Sequence, residues 1–565
     1  MHRKNSFIRH YAPLFPAIFF IVAYLLPLGG RLMTRPDEFR YAEIPREMIA
    51  TGAWMNPRLN GVKYFEKPTL GYQLIALSMR VFGENPFAIR LPSALGTLAA
   101  AAMIYLICRR EKTSRFWASA ATGIYLVTGL VYGIGTFAVL DAPFAAAVTV
   151  SVGALYLAYR SGGKTETVLW LAVVGVSSSV AFMLKGFLAL VLPVVVAVPF
   201  LIWRRDWKKL LTFPWLPFAI VLLIALPWAL AQHRADPDFW SYFFIEEHWK
   251  RFTSRTYDRK PQPFWYFVPV LLIGALPSGL LWIAGALGCT KEWLKRPFVQ
   301  YLICWFAFPF LLFSASSCKL GTYILPCFPP LAILLASALR NARHCDRARF
   351  AIWFGRICAI FGGVIFAVGV AAAIVAAALP LMPPKLAGTL SPALVTPWSI
   401  LTVAALLAYG VMQYRLRRGP YTAALWMFLT GLAPVACFGT LAVPVLDNRT
   451  PGPGLRECFA AYPDRSECVI AVERTCIAPV CWMLKRTDLL VAGKKLGELK
   501  YGIEKHPGEY ANRHVSVKEF PELVKRHPGK VLYVTFHDLK KDPLPKNWPT
   551  PTESRTRDGV TVMRF

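Results

Sequence analysis

The sequence predicts a mostly α-helical protein that crosses a bilayer many times and ends in a small soluble domain. Three observations predict it. Of 565 residues, 56% are hydrophobic and 17% charged, and the mean hydropathy is +0.43, too apolar for a string of ordinary soluble domains. Apolar runs recur from Leu14 to Leu441. Beyond Val443 the composition changes: residues 444–565 hold 21 basic and 15 acidic residues, whereas the whole chain before them holds 17 acidic residues. The 38 Gly and 44 Pro follow no strict period, which excludes a collagen-like chain.

A spanning helix needs about 20 mainly apolar residues to cross about 30 Å of hydrocarbon, and the chain supplies roughly thirteen such stretches. In order they are Leu14 to Leu28, Ala88 to Cys108, Phe116 to Ile134, Pro143 to Tyr159, Val168 to Leu184, Phe187 to Trp203, Leu211 to Ala231, Trp265 to Leu287, Phe298 to Ser314, Tyr323 to Leu339, Ala351 to Leu379, Val395 to Met412 and Tyr421 to Val443. Every second short connection is basic, among them Arg109/Arg110/Lys112/Arg115, Arg204/Arg205/Lys208/Lys209 and Arg340/Arg343/Arg347/Arg349. Cytoplasmic loops collect Lys and Arg, so these connections face the cytoplasm, the N-terminus is inside and the C-terminus outside. Much of the +31 net charge is then a topological signal and not a nucleic-acid footprint. Gly29-Gly-Arg-Leu32 offers no clear small-residue cleavage site, which makes the first span a retained anchor.

This reading divides the chain into a membrane domain, residues 1–443, and an extracytoplasmic C-terminal domain, residues 444–565. The membrane domain carries outer loops near residues 31–86 and 232–264. Short alternating stretches in the tail, such as Val531-Leu-Tyr-Val-Thr-Phe536, read as strands of a small α/β or α+β domain. Four tail cysteines, Cys458, Cys468, Cys476 and Cys481, lie where disulfides are permitted, and at least one bridge is expected there.

The acidic residues carry the functional signal. Twelve of the 17 before the tail fall on the outer side, and no predicted span has one at its centre. A pump or proton-coupled carrier would bury ionisable groups within its spans, so this distribution favours chemistry at the outer membrane face. In Arg35-Pro-Asp-Glu-Phe-Arg-Tyr41, Asp37 and Glu38 open a helix and point in different directions, leaving one to face a substrate and the other to anchor the loop. Tyr41, Ile44 and Met48 form an apolar stripe at helical spacing, suited to a membrane interface. Tyr64-Phe-Glu-Lys-Pro68 sets Glu66 and Lys67 between aromatics and a proline. Asp141 and Lys185 are isolated charges at outer span ends, which marks both as functional candidates. His248 and Arg251, three apart, share a helix face in the second loop, and Lys319 and Tyr323 stand at i and i+4. Each pair is suited to gripping a phosphate or other oxyanion.

Together these motifs resemble a known family. The Asp37-Glu38 pair is similar to the acidic motif of the lipid-dependent GT-C membrane glycosyltransferases, which include the protein O-mannosyltransferases. RYAEIPREM, YFEKP, GTFAVLD, MLKGFLAL, EEHWKRF, KLGTYIL and GELKYGI, in order from Asp37 to Tyr501, resemble the bacterial 4-amino-4-deoxy-L-arabinose (aminoarabinose) transferases of lipid A. The resemblance implies a GT-C fold with thirteen spans in the bacterial inner membrane, a periplasmic tail, and transfer of aminoarabinose from undecaprenyl phosphate to lipid A phosphates. That modification confers resistance to polymyxin and other cationic antimicrobial peptides. It also implies Asp37 as principal catalytic carboxylate, with Glu38 beside it and Asp141 as a second acid. Lys67, Lys185, Arg251 and Tyr323 would serve the donor phosphate, with Lys319 nearby and Tyr41 and Tyr64 lining the site. Glu66 and His248 would hold a divalent metal, zinc in this family; no organic cofactor is implied. Two departures from the pattern are Cys318 before Lys319 and Gly321 where proline is expected.

The expected partners are the lipid-linked aminoarabinose donor, the lipid A acceptor and membrane lipids, with no nucleic acid. Cleaving the sugar to phosphate bond builds negative charge on the leaving phosphate, which the cations Lys67, Lys185 and Arg251 would stabilise. No Cys or Ser beside a base suggests a covalent intermediate, so a single inverting displacement is expected. The alternatives are a GT-C enzyme using another polyprenyl-phosphate sugar, whether mannosyl, galacturonosyl or protein O-glycosyl, and a lipid transporter.

Overall fold

The computed structural model describes residues 11–64, 66–250, 262–382, 397–418, 421–430, 450–539 and 543–565, excepting the side chains of 246–250, 397–399 and 401. The chain divides into two compact units. One comprises Met1–Leu28 with Arg90–Val445, the other Gly29–Ile89 with Leu446–Phe565.

The first unit is helical. Seven helices are long and apolar enough to cross a membrane: Pro86–Arg110, Asp141–Arg160, Lys164–Lys185, Trp207–Ala235, Pro297–Ala315, Gly321–Cys345 and Arg347–Leu381. Two broken pairs raise the number to nine: Arg115–Val127 with Gly129–Gly135, bent by 67°, and Phe264–Gly274 with Ser278–Gly288, bent by 88°. Thirteen spans are therefore not reached among the described residues. Part of the difference is length, since Leu14–Leu25 and the 16-residue Leu188–Trp203 helix are short. At 1.5 Å per residue the latter reaches only about 24 Å. The far half of the expected Tyr421 to Val443 span and the start of the Val395 to Met412 span lie outside the described residues.

The two breaks meet each other. Thr128 is extended, Gly129 N–H donates to Leu276 O at 2.7 Å, and the Thr128 and Ser278 hydroxyls are 2.8 Å apart. Backbone groups freed by a break in an apolar environment need partners, and here each broken helix supplies the other's. A Cβ at Gly129 would stand 2.9 Å from Leu276 O, which is why a glycine occupies that crossing. The Asp141–Arg160 helix is the most enclosed of the spans. Ser151 and Ser178 hydroxyls join it to Lys164–Lys185 at 2.8 Å, and Tyr301 donates to Val152 O at 2.6 Å.

The second unit is built on a six-stranded sheet. Its strands are β3 (Val469–Val472), β4 (Leu490–Ala492), β5 (His514–Val515), β6 (Val531–Thr535), β7 (Glu553–Arg557) and β8 (Val560–Arg564), arranged β5-β4-β3-β6-β8-β7. The first four neighbours run parallel, and β8 and β7 add antiparallel. Phe520, Tyr533, Trp548 and Phe565 pack over one end of the sheet.

The segment Gly29–Ile89, expected as the first outer loop, belongs to this unit as well. Its Asp37–Thr51 helix starts with two acids complementing the helix dipole and stops at Gly52, whose φ is +71°. The hairpin β1 (Arg58–Leu59) and β2 (Val62–Lys63) turns at Asn60-Gly61, both at positive φ as such tight turns demand. Glu47 accepts from the N–H of Asn60 at 2.5 Å and of Gly61 at 2.9 Å. The Asn60 amide pairs with both backbone groups of Leu489, stitching loop to tail.

Two expectations are corrected here. Tyr41, Ile44 and Met48 are buried against protein, the Asp37–Thr51 helix packing on Leu70–Phe82 and Ile477–Leu484, so this stripe faces no lipid. Leu77, Val81 and Phe82 of the following helix are exposed instead and suit an interface. Secondly, the four tail cysteines are free and buried. Each thiol lies against an oxygen, Cys458 on Arg555 O and Val560 O, Cys468 on Asp464, Cys476 on Glu473 and Cys481 on Asn60 Oδ1. They are small core residues in separate places, which is why no bridge forms.

Candidate functional site

In the second unit the candidate residues gather around a cation. Arg40 lies one helical turn from Asp37 and binds its carboxylate at 2.5 Å. The same guanidinium contacts Glu498 of the tail and lies 3.9 Å from Glu66. It also lies 5.2 Å from the Tyr41 ring centroid, and Tyr41 stacks on Tyr72, with Tyr64 edge-on to Tyr72. One positive charge thus serves three carboxylates. Burial would lower the Arg40 pKa, but Glu498, the tyrosines and Asp37 more than compensate and hold it well above the ordinary arginine value. Glu498 moves the other way from a usual carboxylate. Partial burial raises it to about 7, with help from Glu66 and Asp37 and against the pull of Arg40.

Asp37 and Glu38 divide the two tasks that their adjacency offers. Asp37 is 42% exposed, so its carboxylate is accessible. Glu38 is fully buried and accepts from the Thr34 N–H at 3.0 Å, the Thr34 hydroxyl at 3.3 Å and Arg31 at 3.1 Å. It anchors the segment leading into the helix. Lys67 donates to the Glu66 carbonyl at 2.9 Å.

The first unit carries a second cluster. Asp141 opens one helix and Lys185 closes the next, so each charge complements a helix dipole, and the two pair at 2.8 Å. Lys185 Nζ lies 5.5 Å from the Phe144 ring centroid and 5.8 Å from that of Tyr323. Lys319, also in this unit, is buried and donates to the carbonyls of Gln262 and Ser316. Burial lowers its pKa. Its described bonds hold the backbone between two spans. Gly321 meets only Val270 at 3.4 Å from a built Cβ, so the departure from proline leaves the local packing undemanding.

Arg251 lies outside the described residues; His248 falls in the Ser241–Lys250 helix, with its side chain outside them. Among the described residues no three of His, Cys, Asp and Glu come together as a metal site.

Comparison with known proteins follows this arrangement. Residues 12–243 match the family model described as dolichyl-phosphate-mannose-protein mannosyltransferase, and residues 446–564 match the arabinosyl transferase ArnT C-terminal domain. The chain is 34% identical over 555 residues to the undecaprenyl phosphate-alpha-4-amino-4-deoxy-L-arabinose arabinosyl transferase 2 of Proteus mirabilis, covering 97% of both chains. It is 36% identical over 556 residues to the Yersinia pestis (strain Pestoides F) transferase of that name, covering 97% of this chain and 96% of that one. This chain belongs to the aminoarabinose arabinosyl transferase family. The fold agrees: the crystal structure of ArnT from Cupriavidus metallidurans bound to undecaprenyl phosphate superposes with a TM-score of 0.75 at 23% identity, covering 98% of this chain and 97% of that one. The apo form of the same transferase gives 0.73 at 22% identity.

For this arabinosyl transferase, sequence reasoning passed over Arg40, Glu498 and Tyr72. Arg40 carried a usable signal, being three residues from Asp37 on a predicted helix. Glu498 sits within the GELKYGI motif, but nothing in the sequence joins it to a residue 458 positions earlier.

Proposed function

We propose that this protein transfers 4-amino-4-deoxy-L-arabinose from undecaprenyl phosphate to lipid A phosphate groups at the periplasmic face of a bacterial inner membrane. The observation that carries this reading is the likeness to transferases of that name along 97% of the chain. In this reading the N-terminus is cytoplasmic, the spans number thirteen and the tail is periplasmic. Modified lipid A would carry an added ammonium, which lowers its attraction for polymyxin and other cationic peptides.

The chemistry is a displacement at the anomeric carbon. An oxygen of the acceptor phosphate forms the new bond, the bond from sugar carbon to donor oxygen breaks, and its electron pair leaves on undecaprenyl phosphate. The acceptor is already anionic, so little base strength is required. Asp37 takes any residual acceptor proton or steadies positive charge at the sugar carbon, while Arg40 fixes its orientation. Lys67, Lys185 and Arg251 meet charge on the donor phosphate. Tyr41, Tyr64 and Tyr323 line their respective parts of the site. One attack from the face opposite the leaving group inverts the sugar carbon.

Glu66 and His248 offer the oxygen and nitrogen donors that suit zinc, and water or phosphate would complete the coordination. Such an ion would supply further positive charge to the phosphates. The test is transfer by purified full-length protein from synthetic undecaprenyl-phosphate aminoarabinose to lipid A, read as the mass added. Unmodified lipid A with wild-type protein refutes the reading, and undiminished transfer by Asp37→Asn removes Asp37 from catalysis.

A further inference from the structure

The tail sheet has the topology that places ligands in α/β proteins. From β3 the chain goes to β4 and β5 on one side and then returns to β6 on the other. The connections leaving β3 and β6 therefore diverge, and in open parallel sheets ligands bind in the crevice outside the carboxyl ends of strands at such a switch point. A cavity of about 600 Å³ lies at that place. Its lining includes residues that follow each parallel strand, Glu473 and Arg474 after β3, Gly493 to Lys495 after β4, Val517 after β5 and His537 after β6, with Trp548 and its preceding prolines closing one side. None of these belongs to the carboxylate cluster around Arg40.

The lining is set up for an anion. Arg474 and His537 both lie near the Glu473 carboxylate, at 3.8 and 3.7 Å, and that carboxylate also accepts from the Thr475 N–H at 3.0 Å. Lys494 and Lys495 pair with no acid among the described residues. Among the described lining residues Arg474, Lys494 and Lys495 outweigh Glu473, and a group bearing negative charge would redress the excess. Gly493, at φ +123°, has nothing among the described residues within 4 Å of a built Cβ, which leaves its backbone open to a ligand on that side. The wall is aromatic as well as basic. Trp548 is held on Phe520 with ring centroids 3.8 Å apart, and its indole N–H donates to Val517 O at 3.1 Å. Trp548 gives the crevice an apolar wall beside the cations, which suits the carbon skeleton of a sugar carrying a phosphate.

We propose that this crevice binds a phosphorylated sugar. The site stands independently of the transfer reaction, although the acceptor proposed for that reaction is itself a phosphorylated saccharide. The ligand's source is either a lipid headgroup or a free sugar phosphate.

The test uses full-length protein in phosphatidylcholine nanodiscs and saturation-transfer NMR with glucosamine 1-phosphate. Wild-type protein should give a signal, K494Q/K495Q should lose at least four-fifths of it, and K525Q, an exposed lysine away from the crevice, should keep it. Equal signals from wild type and K494Q/K495Q overturn the proposal. Glucosamine competing as well as its phosphate overturns it too. Displacement by lipid A in the disc assigns the site to a lipid headgroup; binding that persists with lipid A present assigns it to a soluble sugar phosphate. Transfer to lipid A by a wild-type protein that fails to bind glucosamine 1-phosphate sinks the crevice alone. Binding without transfer sinks the reaction alone.

Discussion

Arg40 is the position where a small change should cost most. Its guanidinium holds Asp37 at 2.5 Å, contacts Glu498 and faces Glu66 at 3.9 Å. Two unit charges about 4 Å apart attract by about 4 kcal/mol at an effective dielectric near 20. Asp37 and Glu498 are 42% and 34% exposed, and solvent screening brings each contact down towards about 1 to 2 kcal/mol. Arg40→Gln removes both, together with the positive charge placed among the three acids, for about 3 kcal/mol in all. If that loss appears in the transition state, kcat/KM for transfer falls about 100-fold, since about 1.4 kcal/mol is a factor of ten. Arg40→Lys keeps the charge but cannot bridge two carboxylates as a fork does, and should lose about tenfold.

Glu498 supplies the matching pH signature. Its folded pKa of about 7 lies above its unfolded value, so the folded state binds more protons in the interval between them. Its contribution to stability is largest below the unfolded pKa, declines as pH rises towards 7, and is level above that. Glu498→Gln should flatten this slope in thermal unfolding of the full-length protein. Arg40→Gln transferring within threefold of wild type, at equal expression and with an unchanged melting temperature, would refute the reasoning.

Three further outcomes can be measured on the same preparation. Glu47→Ala leaves the N–H groups of Asn60 and Gly61 without their carboxylate, at about 1 to 3 kcal/mol for a buried unsatisfied group, so the second unit should melt several degrees lower and be cut sooner by protease. An unchanged melting temperature would show that the turn does not depend on Glu47. Asp141→Asn and Lys185→Met each break a pair 2.8 Å apart, so the double variant should melt higher than the sum of the single losses predicts; strict additivity would deny the pair. Cys458, Cys468, Cys476 and Cys481 should all be alkylated in denaturant without reductant, whereas protection of any two until reductant is added would reveal a bridge.

What the sequence made legible was decided by range. Hydropathy identified most of the spans because spanning depends on a local run of apolar side chains. It did not foresee the breaks at Thr128 and Pro277, because these are stabilised by bonds to each other across about 150 positions. The same limit applied to cysteines: an oxidising compartment permits a bridge, but only packing shows that each tail thiol lies against a different oxygen. Asp141 and Lys185 were visible because isolated charges beside apolar runs are costly, and Asp37 because it opens a helix beside Glu38. Arg40 was visible in principle from its spacing, whereas Glu498 required the fold.

The acids expected on the outer side stand out by their number, but number alone overstates the site. Glu38 is spent on Thr34 and Arg31, Glu43 on a two-pronged pair with Arg46, and Glu47 on the Asn60-Gly61 turn. All three are buried, and burial raises the Glu43 pKa to about 8 even beside its arginine. A carboxylate held in that way stabilises a loop and has little left for a substrate. Asp37 differs in keeping an exposed face while its other side is fixed by Arg40. Within one helix, then, Asp37 and the acids one, six and ten residues beyond it have opposite uses, set by whether the fold leaves them in water or seals them against protein. The helix is rigid because Glu38, Glu43 and Glu47 are committed to structure, and that rigidity is what presents Asp37 in one orientation.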